Sequence, residues 1–301
     1  MTKVAVVQAG TVLGDTARTL EKLEQLCQQC AARGVKLAVF PEAFVGGYPK
    51  GLQFGASVGI RTEAGRDLFR AYSGCAIEVP GPSTVRIGEL AKAASLTLVI
   101  GVIERDGGTL YCAALYFDHT GALLGKHRKL VPTAAERLIW GCGDGSTLKV
   151  LDTQLGKIGG LICWENYMPL ARMAMYAQGV QIYCAPTVDD RDVWIPTVTH
   201  IAREGRCFVL SACQSLARTA YPKEWLASAQ NLPDTPIRGG SCIVGPLGEM
   251  LAGPVYGEEA IVSAEIELAE LPRAKFDFDV VGHYARPDVF EFGVRGATDR
   301  G

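Results

Sequence analysis

Short apolar runs rich in β-branched residues alternate with amphipathic stretches along nearly the whole chain. Val4–Gly10 (VAVVQAG) reads as a strand. Thr16–Ala32 reads as a helix, with Leu20, Leu23 and Cys27 at helical spacing and Gly34 as its stop. Leu37–Phe40 is a buried strand that runs straight into Pro41 and Glu42. Val45–Gly59 is Gly-rich and irregular, which predicts a surface or pocket-rim loop. After the Pro80-Gly81-Pro82 break, Ser83–Ala94 reads as a helix. Turn signals at Asp106-Gly107-Gly108 and His119-Thr120-Gly121 then link Leu96–Ile103, Leu110–Phe117 and Ala122–Lys126 into a meander. Further strands are predicted at Leu148–Asp152, Lys157–Cys163, Val180–Ala185, Cys207–Ala212, Ser241–Gly245 and Ala260–Ile266, with helices at Met168–Ala177 and Trp194–Glu204.

Helices thus alternate with strands, but the hairpins argue for mixed sheets covered by helices rather than a purely parallel doubly wound sheet. No repeat, low-complexity stretch or long linker divides the 301 residues, so one domain is expected, large enough to bury a substantial core at 48% hydrophobic composition. The formal net charge is −2 and the basic residues are scattered. A nucleic-acid binder would show a basic stripe or an aromatic platform, and neither is present. No apolar run approaches the roughly 18–20 residues that span a bilayer, and MTKVAVVQAG lacks the features of a signal peptide. Ten cysteines without an export signal read as reduced thiols of a cytoplasmic protein. Cys112, Cys184 and Cys213 sit in apolar runs and read as small core residues.

Three segments carry candidate chemistry. In KIGGLICWENYMPLARMAMYAQG (Lys157–Gly179) an apolar strand delivers Cys163 at its end, Asn166 is placed to cap a helix, and Pro169 suits its first turn. A thiol between a strand end and a helix start lies in a positive backbone field that favours the thiolate, and the following N–H groups can face an oxyanion. By residue type alone, and with ten cysteines in the chain, Cys163 is more often a core thiol at a strand end. Glu42, in VFPEA, also sits just past a buried strand; it is either a solvated carboxylate or a partly buried general base for a thiol. In KHRKLVPTAAERLIWGCGDGS (Lys126–Ser146), strand alternation points His127 and Lys129 to one face and Arg128 to the other. If the first face lines a pocket, Lys129 stabilises an anion there.

Together these segments resemble the nitrilase superfamily of carbon–nitrogen hydrolases, from AVVQAG to about Phe292. The resemblance implies a Glu–Lys–Cys triad of Glu42, Lys129 and Cys163, with Glu136 of TAAER as a second active-site glutamate. HRKLVPTAAERLIWGCGDGS and CWENYMP resemble the true nitrilase branch, as do APTVDDRDVW and HIAREGRCFVLSACQ. Trp164 resembles that branch's residue after the nucleophile, with an oxyanion or substrate-binding role.

The implied fold class is α/β, a four-layer α-β-β-α sandwich. The core spans about 3–270, and 271–301 is expected in contacts of a homodimer or larger homo-oligomer. The helix after Cys163 is expected near the dimer contact. The implied activity is hydrolysis of a small-molecule nitrile to acid and ammonia with no cofactor and no metal. An amidase or carbamoylase with the same triad is the alternative, and a non-catalytic scaffold a weaker one.

Other features point elsewhere. Cys27-Gln28-Gln29-Cys30 lies in an amphipathic helix without further ligands. Gly141–Gly145 lacks the lysine of a phosphate loop and reads as a turn. His200 falls in a helix and reads as a packing or supporting residue, its alternative being the base of a Cys–His pair.

Overall fold

The computed structural model describes residues 1–229 and 231–296. Alternation along the first strand sets the layering. In β1 (Thr2–Gln8), Val4 and Val6 face one way and Ala5 and Val7 the other, all fully buried, so the strand needs cover on both faces. α1 (Thr16–Ala32) supplies it on one side through Leu23, Cys27 and Cys30. β2 (Leu37–Val39) pairs parallel with β1. Within the Gly-rich segment that follows lies a small hairpin, β3 (Ala56–Ser57) and β4 (Ile60–Arg61). It leads into α2 (Glu63–Cys75), a helix not anticipated from the sequence. α3 (Pro82–Ala93) and the meander β5 (Thr97–Asp106), β6 (Thr109–Phe117) and β7 (Leu123–Arg128) complete the first half.

The second half runs through β8 (Leu151–Thr153), β9 (Gly156–Gly160), α4 (Pro169–Ala177), β10 (Ile182–Cys184), α5 (Trp194–Gly205), β11 (Phe208–Ser211) and β12 (Ser215–Leu216). The short α6 (Lys223–Leu226), β13 (Ile237–Val244) and β14 (Met250–Tyr256) follow; β14 also escapes the sequence pattern. β15 (Ala260–Ile266) returns to pair antiparallel with β1, and α7 (Glu270–Ala274) precedes an irregular tail.

One sheet has the order β15-β1-β2-β5-β6-β7 and the other β12-β13-β11-β10-β9-β8, with β14 on β13. Both are mixed: β1, β2 and β5 are parallel, as are β9, β10 and β11, and the outer pairs are antiparallel. Val4, Val6, Val39 and Val99 of the first sheet share a core with Ile158, Ile182, Leu210 and Ile243 of the second. Outside it, α1 and α3 cover the first sheet, and Ala171, Met175, Val198 and Ile201 of α4 and α5 cover Tyr183, Val209 and Val244 of the second. This is the four-layer α-β-β-α sandwich. Gln8 helps join the sheets: Gly240 N–H and Ser241 N–H both donate to its Oε1 at 2.9 Å.

All ten cysteines are free; nine are buried and Cys142 is exposed. Cys27 and Cys30 are core residues beneath the first sheet. Among the described residues no helix is long and apolar enough to cross a membrane.

Candidate active site

The C-terminal ends of strands from both sheets meet at one place, the usual location of sites in open α/β sheets. Glu42 follows β2. Its segment lies directly on β5, where a Cβ at Gly101 would come within 2.2 Å of Pro41 O and 2.6 Å of the Glu42 Cα. Only glycine permits that approach. The buried Gln214 amide holds the same turn from the second sheet, donating to Glu42 O at 2.8 Å.

Lys129 is the residue after β7, and its N–H extends the ladder by donating to Cys112 O at 2.8 Å. Its ammonium donates to Glu42 Oε1 at 2.7 Å and to Glu136 Oε2 at 2.8 Å, with no lysine side-chain surface exposed. Glu136 is held on both oxygens. Tyr48 OH donates to Oε1 at 2.6 Å, and Thr133 N–H donates to Oε2 at 2.6 Å alongside Lys129. Glu42 differs: Oε1 accepts from Lys129, while Oε2 is buried with no hydrogen-bond partner.

Cys163 opens a 3-10 turn, Cys163–Tyr167, three residues past the end of β9, so the strand stops short of the expected Lys157–Cys163 span. Its φ of +50° lies in the left-handed region, which costs a non-glycine residue energy and is tolerated where the surroundings fix it. They do so here. Cys163 N–H donates to Pro186 O at 2.9 Å, and Asn166 Nδ2 donates to Cys163 O at 2.8 Å and to Leu161 O at 3.0 Å. Asn166 therefore does not cap α4, whose N-cap is Met168; it braces the turn that holds Cys163. Glu165 does the same from the other side. Ile162 N–H and Leu130 N–H each donate to its carboxylate at 2.7 Å, and His127 Nε2 lies 3.0 Å from Oε2.

The electrostatics follow from burial. Burial raises the Glu42 carboxyl above its ordinary range, against the pull of Lys129. Burial alone would strip Lys129 of its proton, but Glu42 and the other acidic groups outweigh it and hold the ammonium charged. Burial, and then the charge of Glu42, push the Cys163 thiol well up. Desolvation thus opposes the backbone field expected to favour the thiolate, and α4 begins only six residues later, with the 3-10 turn between. Burial also raises the Tyr48 phenol, keeping it a proton donor to Glu136.

A cavity of about 180 Å³ is lined by Cys163, Trp164, Glu136, Tyr48, Lys50 and the strand-end segment Val188–Arg191. It shares Tyr48, Lys50, Thr133 and Glu136 with an outer cavity of about 500 Å³ walled by Pro49–Phe54 and Ala134–Ile139. The segment expected as a pocket rim, Val45–Gly59, contributes to both cavities, and the segment after β10 to the inner one. Trp164 stands at the inner cavity: its indole N–H donates to Asp189 Oδ2 at 2.8 Å, and the Arg191 guanidinium lies 4.8 Å over its ring. Among the described residues no group of three or more His, Cys, Asp or Glu side chains is arranged to hold a metal ion.

Residues 3–276 match the family model for carbon-nitrogen hydrolases. The chain belongs to the carbon–nitrogen hydrolase family. Within it the relatives carry nitrilase names. The chain is 57% identical to an aliphatic nitrilase of Sinorhizobium fredii, over 97% of this chain and 95% of that protein. It is 56% identical to a bifunctional nitrilase/nitrile hydratase of Nicotiana tabacum, over 97% and 86%. This kinship places it on the nitrilase branch of the family. The fold agrees with that of a carbon-nitrogen hydrolase from Helicobacter pylori, at a TM-score of 0.74 and 20% identity over 96% of both chains.

For a carbon–nitrogen hydrolase the sequence-predicted residues Glu42, Lys129, Glu136, Cys163 and Trp164 lie together. His200 does not join them: it is exposed on α5, 3.5 Å from Glu204, so it neither packs in the core nor serves the thiol. The sequence reading missed Tyr48, Gln214, Asp189, Thr187 and the His127–Glu165 pair. These are tertiary contacts without a local pattern; the local pattern that is present, Thr133-Ala134-Ala135-Glu136, has the spacing at which a glutamate folds back on a preceding backbone N–H and concerns Glu136, already predicted.

Proposed function

We propose that this chain hydrolyses an organic nitrile to the carboxylic acid and ammonia through covalent intermediates on Cys163. The observation that carries the reading is the Lys129 ammonium bridging Glu42 and Glu136 at 2.7 and 2.8 Å, beside a cavity lined by Cys163 and Glu136. A nitrile carbon is a weak electrophile and its nitrogen must gain protons. A buried thiol, a carboxyl with a free oxygen and a fixed cation meet those needs.

In this reading Glu42 takes the Cys163 proton through Oε2 as sulfur attacks the nitrile carbon. The proton passes to nitrogen, giving a thioimidate. Lys129 and the Trp164 N–H stabilise the charge that develops on nitrogen, the Cys163 N–H being spent on Pro186. Glu42 next activates a water, which adds to the thioimidate; nitrogen is protonated and leaves as ammonia, leaving an acyl thioester. A second water, activated the same way, releases the acid and returns the proton to sulfur. Glu136, saturated by Tyr48, Thr133 and Lys129, positions the ammonium rather than acting as a base.

A second outcome shares the first tetrahedral adduct. If sulfur leaves before ammonia, the product is the amide, and several relatives are named for both activities. The test is ammonia release from a nitrile and from its matching amide, with acid and amide quantified. Turnover of the nitrile supports the reading; turnover of the amide alone makes the chain an amidase.

We further read the chain as one catalytic domain over 1–301. Its tail beyond 270 is proposed for association between copies, because Phe276 and Phe290 are 87% and 73% exposed there. Residues 297–301 lie outside the described residues. Phe276→Ser with Phe290→Ser should lower the mass in solution; an unchanged mass removes the tail from the interface. The free thiols suit a cytoplasmic protein, and the low net charge gives no footing for nucleic acid.

A further inference from the structure

The segment that leaves β10 grips the nucleophile turn at three points. Pro186 O accepts the Cys163 N–H at 2.9 Å, Thr187 Oγ1 stands 3.2 Å from Cys163 Sγ, and Asp189 accepts from the Trp164 indole at 2.8 Å. Thr187 is fully buried, and its own N–H is fixed to Ala212 O at 2.9 Å. Its hydroxyl is oriented as well. Asp189 N–H donates to Oγ1 at 2.9 Å, which occupies one lone pair of that oxygen. A hydroxyl has one proton to give, and the Cys163 sulfur is the acceptor placed for it.

We propose that Thr187 is a further catalytic residue of this reaction, a fixed hydroxyl donor that stabilises negative charge on the Cys163 sulfur when it attacks and when it departs. The assignment rests on Cys163 being the nucleophile.

Cys163 is 3% exposed, so water contributes little when the S–H proton passes to Glu42. Burial and the charge of Glu42 oppose the thiolate, while Lys129 and the Thr187 hydroxyl favour it. A hydrogen bond to an anionic sulfur is charge-assisted and stronger than one to a neutral sulfur. In the thioimidate and the acyl thioester the sulfur carries no charge and the bond weakens. The interaction is therefore strongest where catalysis needs it, as C–S forms and as it breaks and the electron pair returns to sulfur. Thr187 keeps its proton throughout, so no extra acid or base enters the sequence. A hydroxyl serving only to fill the core would leave the reactivity of the sulfur untouched when removed.

The test compares wild type, Thr187→Val and Thr187→Ser. Alkylation of Cys163 by iodoacetamide is followed across pH by peptide mass, which separates it from the exposed Cys142, together with kcat on a nitrile. Thr187→Val should move the alkylation profile up by about one pH unit and lower kcat about tenfold to a hundredfold, with Thr187→Ser within about threefold of wild type on both. If Thr187→Val does not fold, Thr187→Ala carries the same measurement. A wild-type profile in the Val or Ala variant, or equal impairment of the Ser variant, overturns the assignment. Cys163→Ala separates the two readings. Its turnover at the wild-type rate defeats the nucleophile; its inactivity beside an unaltered Thr187→Val defeats Thr187 alone.

Discussion

His127 Nε2 and Glu165 Oε2 lie 3.0 Å apart, both side chains buried. Because an ionised carboxylate only accepts, the imidazole donates from Nε2. The contact ties β7, which delivers Lys129, to the turn that holds Cys163. Burial works to raise the Glu165 carboxyl, but His127 and the Leu130 and Ile162 N–H groups outweigh it and hold the carboxyl below its ordinary value of 4.5. A depressed carboxyl stabilises the fold above its unfolded pKa, and that stability is lost as pH falls through the folded one.

Glu165→Gln should therefore be less stable than wild type at pH 7, by about 1.5–3 kcal/mol for hydrogen bonds to a charged group. The deficit should narrow progressively below about pH 4.5, where the wild-type carboxylate begins to lose its advantage. Urea unfolding of both proteins at pH 7 and pH 4 checks this. A deficit that is the same at both pH values contradicts it.

Lys129→Met should remove activity and also destabilise the protein, because it leaves Glu42 and Glu136 buried without their shared cation. Breaking a buried pair in this way costs about 3–5 kcal/mol. Adding Glu42→Gln should recover part of the stability and none of the activity. Thermal unfolding and turnover of the single and double variants separate the two effects; a Lys129→Met protein as stable as wild type means the cluster is not charged as described.

Much of this was legible in the sequence where the chemistry is local. α1 has the predicted bounds Thr16–Ala32, and β15 the predicted Ala260–Ile266. α2 was missed although Leu68, Tyr72 and Cys75 mark its buried stripe, because, Phe69 apart, the rest of EAGRDLFRAYSGC is polar or small. β14 was missed because it is largely exposed and carries Gly253-Pro254 in its interior, a pattern that reads as a turn. Within the site, residues at strand ends with a motif around them could be found: Glu42, Lys129, Glu136, Cys163 and Trp164. Thr187, Tyr48 and Gln214 act through partners 24, 88 and 172 residues away, and no local period encodes such contacts. Nor does sequence show depth of burial, which sets the desolvation that works against a thiolate at Cys163.

Asp189 anchors the indole of Trp164 and, through Oδ1 and Oδ2, the Arg191 guanidinium at 2.7 and 2.5 Å. Asp189→Ala should free both walls of the inner cavity and raise KM for the nitrile about tenfold, the equivalent of one lost hydrogen bond. kcat should change far less, since no reacting atom is touched. Steady-state kinetics decide: a fall in kcat as large as the rise in KM would assign Asp189 to the chemical step instead.

The central claim is that the Cys163 sulfur forms a covalent bond to the substrate carbon, and mass spectrometry of the protein quenched during nitrile turnover tests it most directly. Wild type should carry the acyl or imidoyl group on the Cys163 peptide, and Cys163→Ala should carry none, with turnover reduced by at least about 10⁴-fold. Turnover undiminished in Cys163→Ala, or an adduct found only on another residue, would contradict it.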